Sequence, residues 1–227
     1  MIKISSQILL CLLISHLSFS QGLIRFYNQG KVGYKNESNQ IIVNPMYDAG
    51  SEFSNGLAIV VKDNKRGYIN NKGEIAIELK FDDASEFVDG LAAVKYANLY
   101  GFINQRGEWF VQPIYQIAFS FQEGLARVQK NGLWGFINQR GEWAIPCKYQ
   151  MALDLSHGLA AVQLNGKFGF INKQGKLVIP CKFDLATNFN AELKSHVVIE
   201  HEHYVINTKG QTLEKIEPFE EHDRAKK

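Results

Sequence analysis

The nine-residue string Gly-Phe-Ile-Asn-Gln-Arg-Gly-Glu-Trp stands at residues 101–109 and again at 135–143, 34 residues further on. The same spacing runs through the whole chain. Gly-Leu opens a unit at Gly22, Gly56, Gly90, Gly124 and Gly158, and a second glycine follows at Gly33, Gly67, Gly101, Gly135 and Gly169. Glu192–Leu193 keeps the phase without the glycine. Six units, 22–55, 56–89, 90–123, 124–157, 158–191 and 192–227, leave no stretch for a separate catalytic domain. A period of this length belongs to solenoids, propellers and arrays.

Each recurring position has a physical reason. Strand one reads Leu-Ala-x-Val, as at Leu125–Val128. Its apolar position, Phe26, Val60, Val94, Val128 and Val162, is followed by the wetter Tyr27, Val61, Lys95, Gln129 and Gln163, as a half-buried strand requires. The turn that follows ends in Gly30, Asn64, Asn98, Gly132 or Gly166. These two residue types tolerate positive φ, and Asn131–Gly132 and Asn165–Gly166 predict type I′ hairpins. Strand two reads aromatic-Gly-aromatic-Ile-Asn, as at Trp134–Asn138, and a second turn reads Asn-x-x-Gly, as at Asn138–Gly141.

Strand three is apolar, and Pro45, Pro113, Pro146 and Pro180 are expected to end its ladder because proline lacks an N–H. An irregular return segment is expected next, anchored by Phe81, Tyr115, Tyr149 and Phe183 and then by Phe87, Phe121 and Phe189. No segment carries a helical period. The expectation is therefore all-β: six three-stranded antiparallel meanders, each burying its apolar face against its neighbours. The ends depart from the pattern. Lys35 replaces the strand-two isoleucine, and unit six loses Gly-Leu-Ala and gains one residue, placed near Glu200–His203.

Gly-Leu-Ala-x-Val, aromatic-Gly-Phe-Ile-Asn-x-x-Gly, Val-Ile-Pro and Tyr/Phe-Asp-x-Ala together resemble the WG-repeat family. The Trp-Gly pair itself occurs at Trp134–Gly135, with Tyr100, Phe168, Val32 or Arg66 in the tryptophan slot elsewhere. The resemblance implies an exported bacterial all-β repeat protein and carries over no catalytic residue. Variable copy number in the family favours an open curved solenoid; a closed six-bladed propeller is the alternative. Neither end of the sequence shows a split blade.

The amino terminus has its own grammar. Lys3, the apolar run Ile8–Leu17 and small residues at Ser18 and Ser20 read as a secretory signal peptide over residues 1–20, cleaved near Ser20. The run is about half the ~20 residues of a membrane span. Cys11 lies inside it behind Leu10, which argues against a lipid anchor. The expected location is secreted or periplasmic. With 25 lysines and arginines against 23 aspartates and glutamates, no basic stripe points to nucleic acid and no polybasic segment to a membrane surface. Cys147 and Cys181 occupy matching places in adjacent units. They are a reachable disulfide if those strands stack directly, and small core fillers if whole meanders intervene.

Repetition sets like groups in rows, whereas catalysis needs unlike groups converging. Two clusters break the pattern. His196, His201 and His203 alternate as strand-borne metal ligands do, with His201 and His203 sharing a face, but no clear fourth ligand accompanies them. Asp154, Ser156 and His157 are neighbours in sequence, which is not triad geometry. No catalytic residue, metal ligand or cofactor is assigned. The binding candidates are two aromatic rows, Tyr100, Trp134 and Phe168, and Trp109 and Trp143. They are either core or a surface for a protein or glycan partner. The resulting expectation is a non-catalytic exported scaffold, with a structural envelope component as the alternative and metal-dependent activity third.

Overall fold

A computed structural model describes residues 23–216; the expected leader lies outside them. Among the described residues there are six antiparallel sheets and no helix. Sheet 4 is representative. Its strands Leu125–Lys130, Leu133–Asn138 and Trp143–Tyr149 form the expected meander. A two-residue strand, Ile117–Ala118, adds to the free side of strand one. That piece comes from the return segment of the preceding unit, so the return is not irregular: it begins the next sheet. Ala49–Gly50, Asp83–Ala84, Met151–Ala152 and Leu185–Ala186 do the same for sheets 2, 3, 5 and 6. Sheet 1, from Ile24 to Tyr47, has three strands among the described residues.

The turns follow the predicted chemistry. Asn131 and Gly132 have φ of 54° and 76°, the left-handed pair of a type I′ hairpin. In the second turn the Asn138 side-chain oxygen accepts the backbone N–H groups of Arg140 and Glu142, at 2.9 and 3.1 Å. Sheet 6 keeps a two-residue hairpin, with Glu200 and His201 at φ of 49° and 70°. The extra residue of unit six is therefore not there. It lies ahead of strand one, where Asn190 and Lys194 bracket a turn one residue longer than that between Ser156 and Leu159. Leu193 takes the left-handed conformation that Gly158 takes in sheet 5.

Strand three does not stop at its proline. Trp134 faces Tyr149 and Phe136 faces Ile145, so two steps along strand two meet four along strand three. The surplus is a bulge containing Pro146, where no ladder N–H is needed. The bulge closes over Gly135, and sheets 1, 2, 3 and 5 repeat it. In sheet 6 Tyr204 takes the glycine's place, and the pairing runs evenly through His203–Ile216, Tyr204–Lys215 and Val205–Glu214.

The core is divided into five joints. One face of sheet 4, with Trp134, Phe136, Ile145 and Tyr149, packs against Ala160, Val162 and Ile171 of sheet 5. The other four joints are built from equivalent positions. Each fully buried valine, isoleucine or phenylalanine contributes about 1.5–3 kcal/mol relative to exposure. Among the described residues no cluster joins sheet 6 to sheet 1. Thr212–Ile216 is exposed throughout, and Ile24 is 44% exposed. Among the described residues the array is open at both ends. Cys147 and Cys181 are free thiols. They lie on successive sheets, whose packing distance of about 10 Å exceeds disulfide reach.

Candidate binding surfaces

The row Tyr100, Trp134 and Phe168 belongs to strand two and opens toward the short fourth strands. Trp134 and Phe168 are only 9% and 5% exposed, so their rings are core, while Tyr100 is partly open. Arg127 lies over Trp134 and Phe119, its guanidinium carbon 4.8 and 4.0 Å from the ring centroids. Its Nε is 2.8 Å from Asp154 Oδ1, and another N–H donates to the Ala152 carbonyl. Arg25 repeats this three sheets earlier, with Glu52 at 3.0 Å and the Gly50 carbonyl at 2.6 Å. Sequence reading passed over both arginines. The signal was a charged residue at the third position of Leu-Ala-x-Val, where units two, three and five carry Ile59, Ala93 and Ala161.

Sheet 3 has Ala93 at that position, and a cavity of about 180 Å³ opens there, lined by Ala93, Tyr100, Asp83, Phe119 and Ser120 among others. The Tyr100 hydroxyl donates to Asp83 Oδ2 at 2.7 Å. Burial, with that carboxylate beside it, pushes the phenol up to about 12.

Trp109 and Trp143 occupy the first position of strand three, the outer edge of each sheet. Trp109 packs edge-on against Phe81 of the preceding sheet, 5.9 Å between centroids, and against Tyr96. Trp143 does the same on Tyr115 at 5.9 Å and leaves 43% of its surface exposed. The same position is Ile41, Ile75 and Leu177 in sheets 1, 2 and 5, all exposed. The two tryptophans are thus the middle of an apolar ledge crossing five sheets. Its aliphatic members were not singled out from sequence, because isoleucine in a strand reads as core.

The remaining candidates separate. Ser156 Oγ is 3.0 Å from His157 Nδ1, but it donates to the Phe189 carbonyl, and the Asp154 carboxylate is held by Arg127. His201 is a hairpin residue and does not share the strand face with His203, contrary to expectation; His196 does, its Nε2 3.0 Å from His203 Nδ1. Among the described residues no three His, Cys, Asp or Glu side chains form a group able to hold a metal, and no helix is long and apolar enough to cross a membrane.

The family model described as the WG containing repeat matches five consecutive repeats, at residues 33–65, 67–100, 100–134, 134–168 and 168–193. No curated protein matches the sequence. Among solved structures, a crystal structure of the eukaryotic initiation factor is similar at a TM-score of 0.56 and 11% identity, over 88% of this chain and 63% of that one. Hsv2 of Kluyveromyces lactis with loop 6CD replaced by a Gly-Ser linker is similar at 0.50 and 10% identity, over 85% and 76%. At these identities the likeness shows the fold alone, a propeller-like succession of β-meander sheets.

Proposed function

The chain belongs to the WG-containing repeat family, and on that premise we propose that it is an exported, non-catalytic scaffold that binds a partner along a repeated surface. The ledge of exposed Ile41, Ile75, Trp143 and Leu177, with half-buried Trp109 among them, carries this reading. Apolar side chains set in register on successive rigid edges cost solvation when bare and gain it back when covered. Aliphatic residues at both ends of the row favour an apolar protein segment, whereas the central tryptophans alone would also suit sugar rings. Export rests on the leader-like residues 1–20. A scaffold role without chemistry is supported by Arg127 holding the Asp154 carboxylate while the Ser156 hydroxyl donates to the Phe189 carbonyl.

The test compares residues 21–227 with the Trp109→Ala/Trp143→Ala variant for capture of envelope proteins and for binding to a glycan panel. Loss of a protein ligand with an unchanged circular dichroism spectrum supports the reading. Capture that survives the double substitution removes the ledge as the binding surface. Metal-dependent activity at the terminal histidines has less behind it, resting on the single pair His196–His203.

A further inference from the structure

We propose that sheet 6 of one copy docks on sheet 1 of a second copy, head to tail, making a sixth joint built like the five internal ones. This goes beyond partner binding at the ledge and does not depend on it.

Every internal joint matches two pairs of positions. In the first, an aromatic ring on strand two (Tyr34, Tyr68, Phe102, Phe136 or Phe170) shares a buried cluster with a strand-one valine of the next sheet. Phe136 with Val162 and Phe170 with Val197 are examples. In the second, a valine or isoleucine on strand three meets a strand-two isoleucine of the next sheet, as Ile145 meets Ile171.

Both pairs change at the free ends, and each change at one end answers a change at the other. Pairing places Val205 where sheet 5 has Phe170, and Phe26 where sheet 2 has Val60. The large and small partners have exchanged sides, so their combined volume is kept. Pairing likewise places Glu214 where sheet 5 has Ile179, and Lys35 where sheet 2 has Ile69. An apolar contact is replaced by opposite charges. Among the described residues neither Lys35 nor Glu214 enters an ion pair.

Two solvated caps would need polar residues, but not ones matched to each other in size and sign. Ile24, 44% exposed where sheet 2 buries Ala58, adds apolar surface to the same face. Among the described residues no part of the same chain covers either face, and a second copy carries the complementary one. A head-to-tail joint is heterologous and leaves a free face at each end, so copies add in series. The ion pair selects the register, since like charges at that point are strongly unfavourable.

Sedimentation velocity on residues 21–227, over a concentration series, tests this. The expected result is association that grows with concentration. Lys35→Glu and Glu214→Lys, each alone, set like charges opposite one another and weaken it by about tenfold or more. An equimolar mixture of the two single variants restores it, because every joint between unlike variants pairs opposite charges. Both positions are surface positions, and thermal melts confirm that the variants fold. A wild-type chain that stays monomeric overturns the proposal, as does a mixture that behaves like its components. Closure of the chain on itself would give a monomer whose melting temperature falls in each single variant and recovers in the double variant. A cover formed by residues 217–227 would give a monomer that associates once they are deleted.

Discussion

Ile145 holds its carbonyl oxygen over Gly135 so closely that a Cβ on that glycine would stand 2.6 Å away, and 2.7 Å from the Cys147 amide nitrogen. Both are backbone atoms of the strand-three bulge and cannot swing aside. The recurrent second glycine and the bulge are therefore one device. Where Tyr204 takes the position, the bulge is gone. Gly135→Ala is expected to destabilise the chain by about 2–3 kcal/mol in urea unfolding, a typical figure for overpacking. Gly124, at φ 85° with nothing within 4 Å of a built Cβ, tests a different cost. Its replacement by alanine is expected to lose about 1–2 kcal/mol from backbone strain alone. Equal losses at the two sites would argue that close approach is not what selects Gly135.

The two tryptophan positions of sheet 4 predict opposite phenotypes. Trp134→Ala empties a core position and removes the ring under Arg127, so a loss of about 3–5 kcal/mol is expected. Trp143→Ala removes a ring with 43% of its surface already in water, and a loss near or below about 1.5 kcal/mol is expected. Urea midpoints of the two variants, measured side by side, check the assignment of one ring to the core and the other to the ledge.

The cavity beside Ala93 invites its missing guanidinium. Sheets 1 and 4 fill the equivalent place with Arg25 and Arg127, each anchored by a carboxylate, and sheet 3 has Ser120 where sheet 4 has Asp154. The paired substitution Ala93→Arg/Ser120→Asp is expected to raise the melting temperature, with a gain of about 1 kcal/mol. Arg127→Ala strands the Asp154 carboxylate against a half-buried wall and is expected to lose about 2–3 kcal/mol. Differential scanning fluorimetry reads both.

Acid is expected to loosen the array at three repeated ties. Hydrogen bonds from Lys31, Lys65 and Lys167 hold the Asp48, Asp82 and Asp184 carboxyls below their ordinary 3.8. A depressed folded-state value favours the ionised form, so this stabilisation is present above the unfolded value and lost as pH falls through the folded one. Unfolding free energy against pH is expected to drop below about pH 4. The combined Asp48→Asn, Asp82→Asn and Asp184→Asn variant is expected to show a flatter acid limb. An unchanged limb would place the acid sensitivity elsewhere.

What was legible in advance was local. Asn131–Gly132 and Asn138–Gly141 announce turns because side-chain type restricts φ within a few residues, and those turns stand as read. What was misread depends on partners distant in sequence. Pro146 looked like the end of a strand, but the ladder resumes at Tyr149 because the bulge spares the missing N–H. Ile117–Ala118 looked like irregular return, but strand one of the following sheet offers it a free edge. Arg127 was not singled out, and only packing shows it sandwiched between Phe119 and Trp134.

The sequence by itself determined the six-fold repetition, the β-meander of each unit and both turns, because period, alternation and positive φ are properties of neighbouring residues. Only the tertiary structure decided which rings are buried and which form a ledge, where the extra residue of the last unit falls, and that Lys35 and Glu214 stand at corresponding places on two open faces. Burial and complementarity belong to surfaces brought together across whole sheets. A one-dimensional pattern contains the residues of such a surface, but not the fact that they meet.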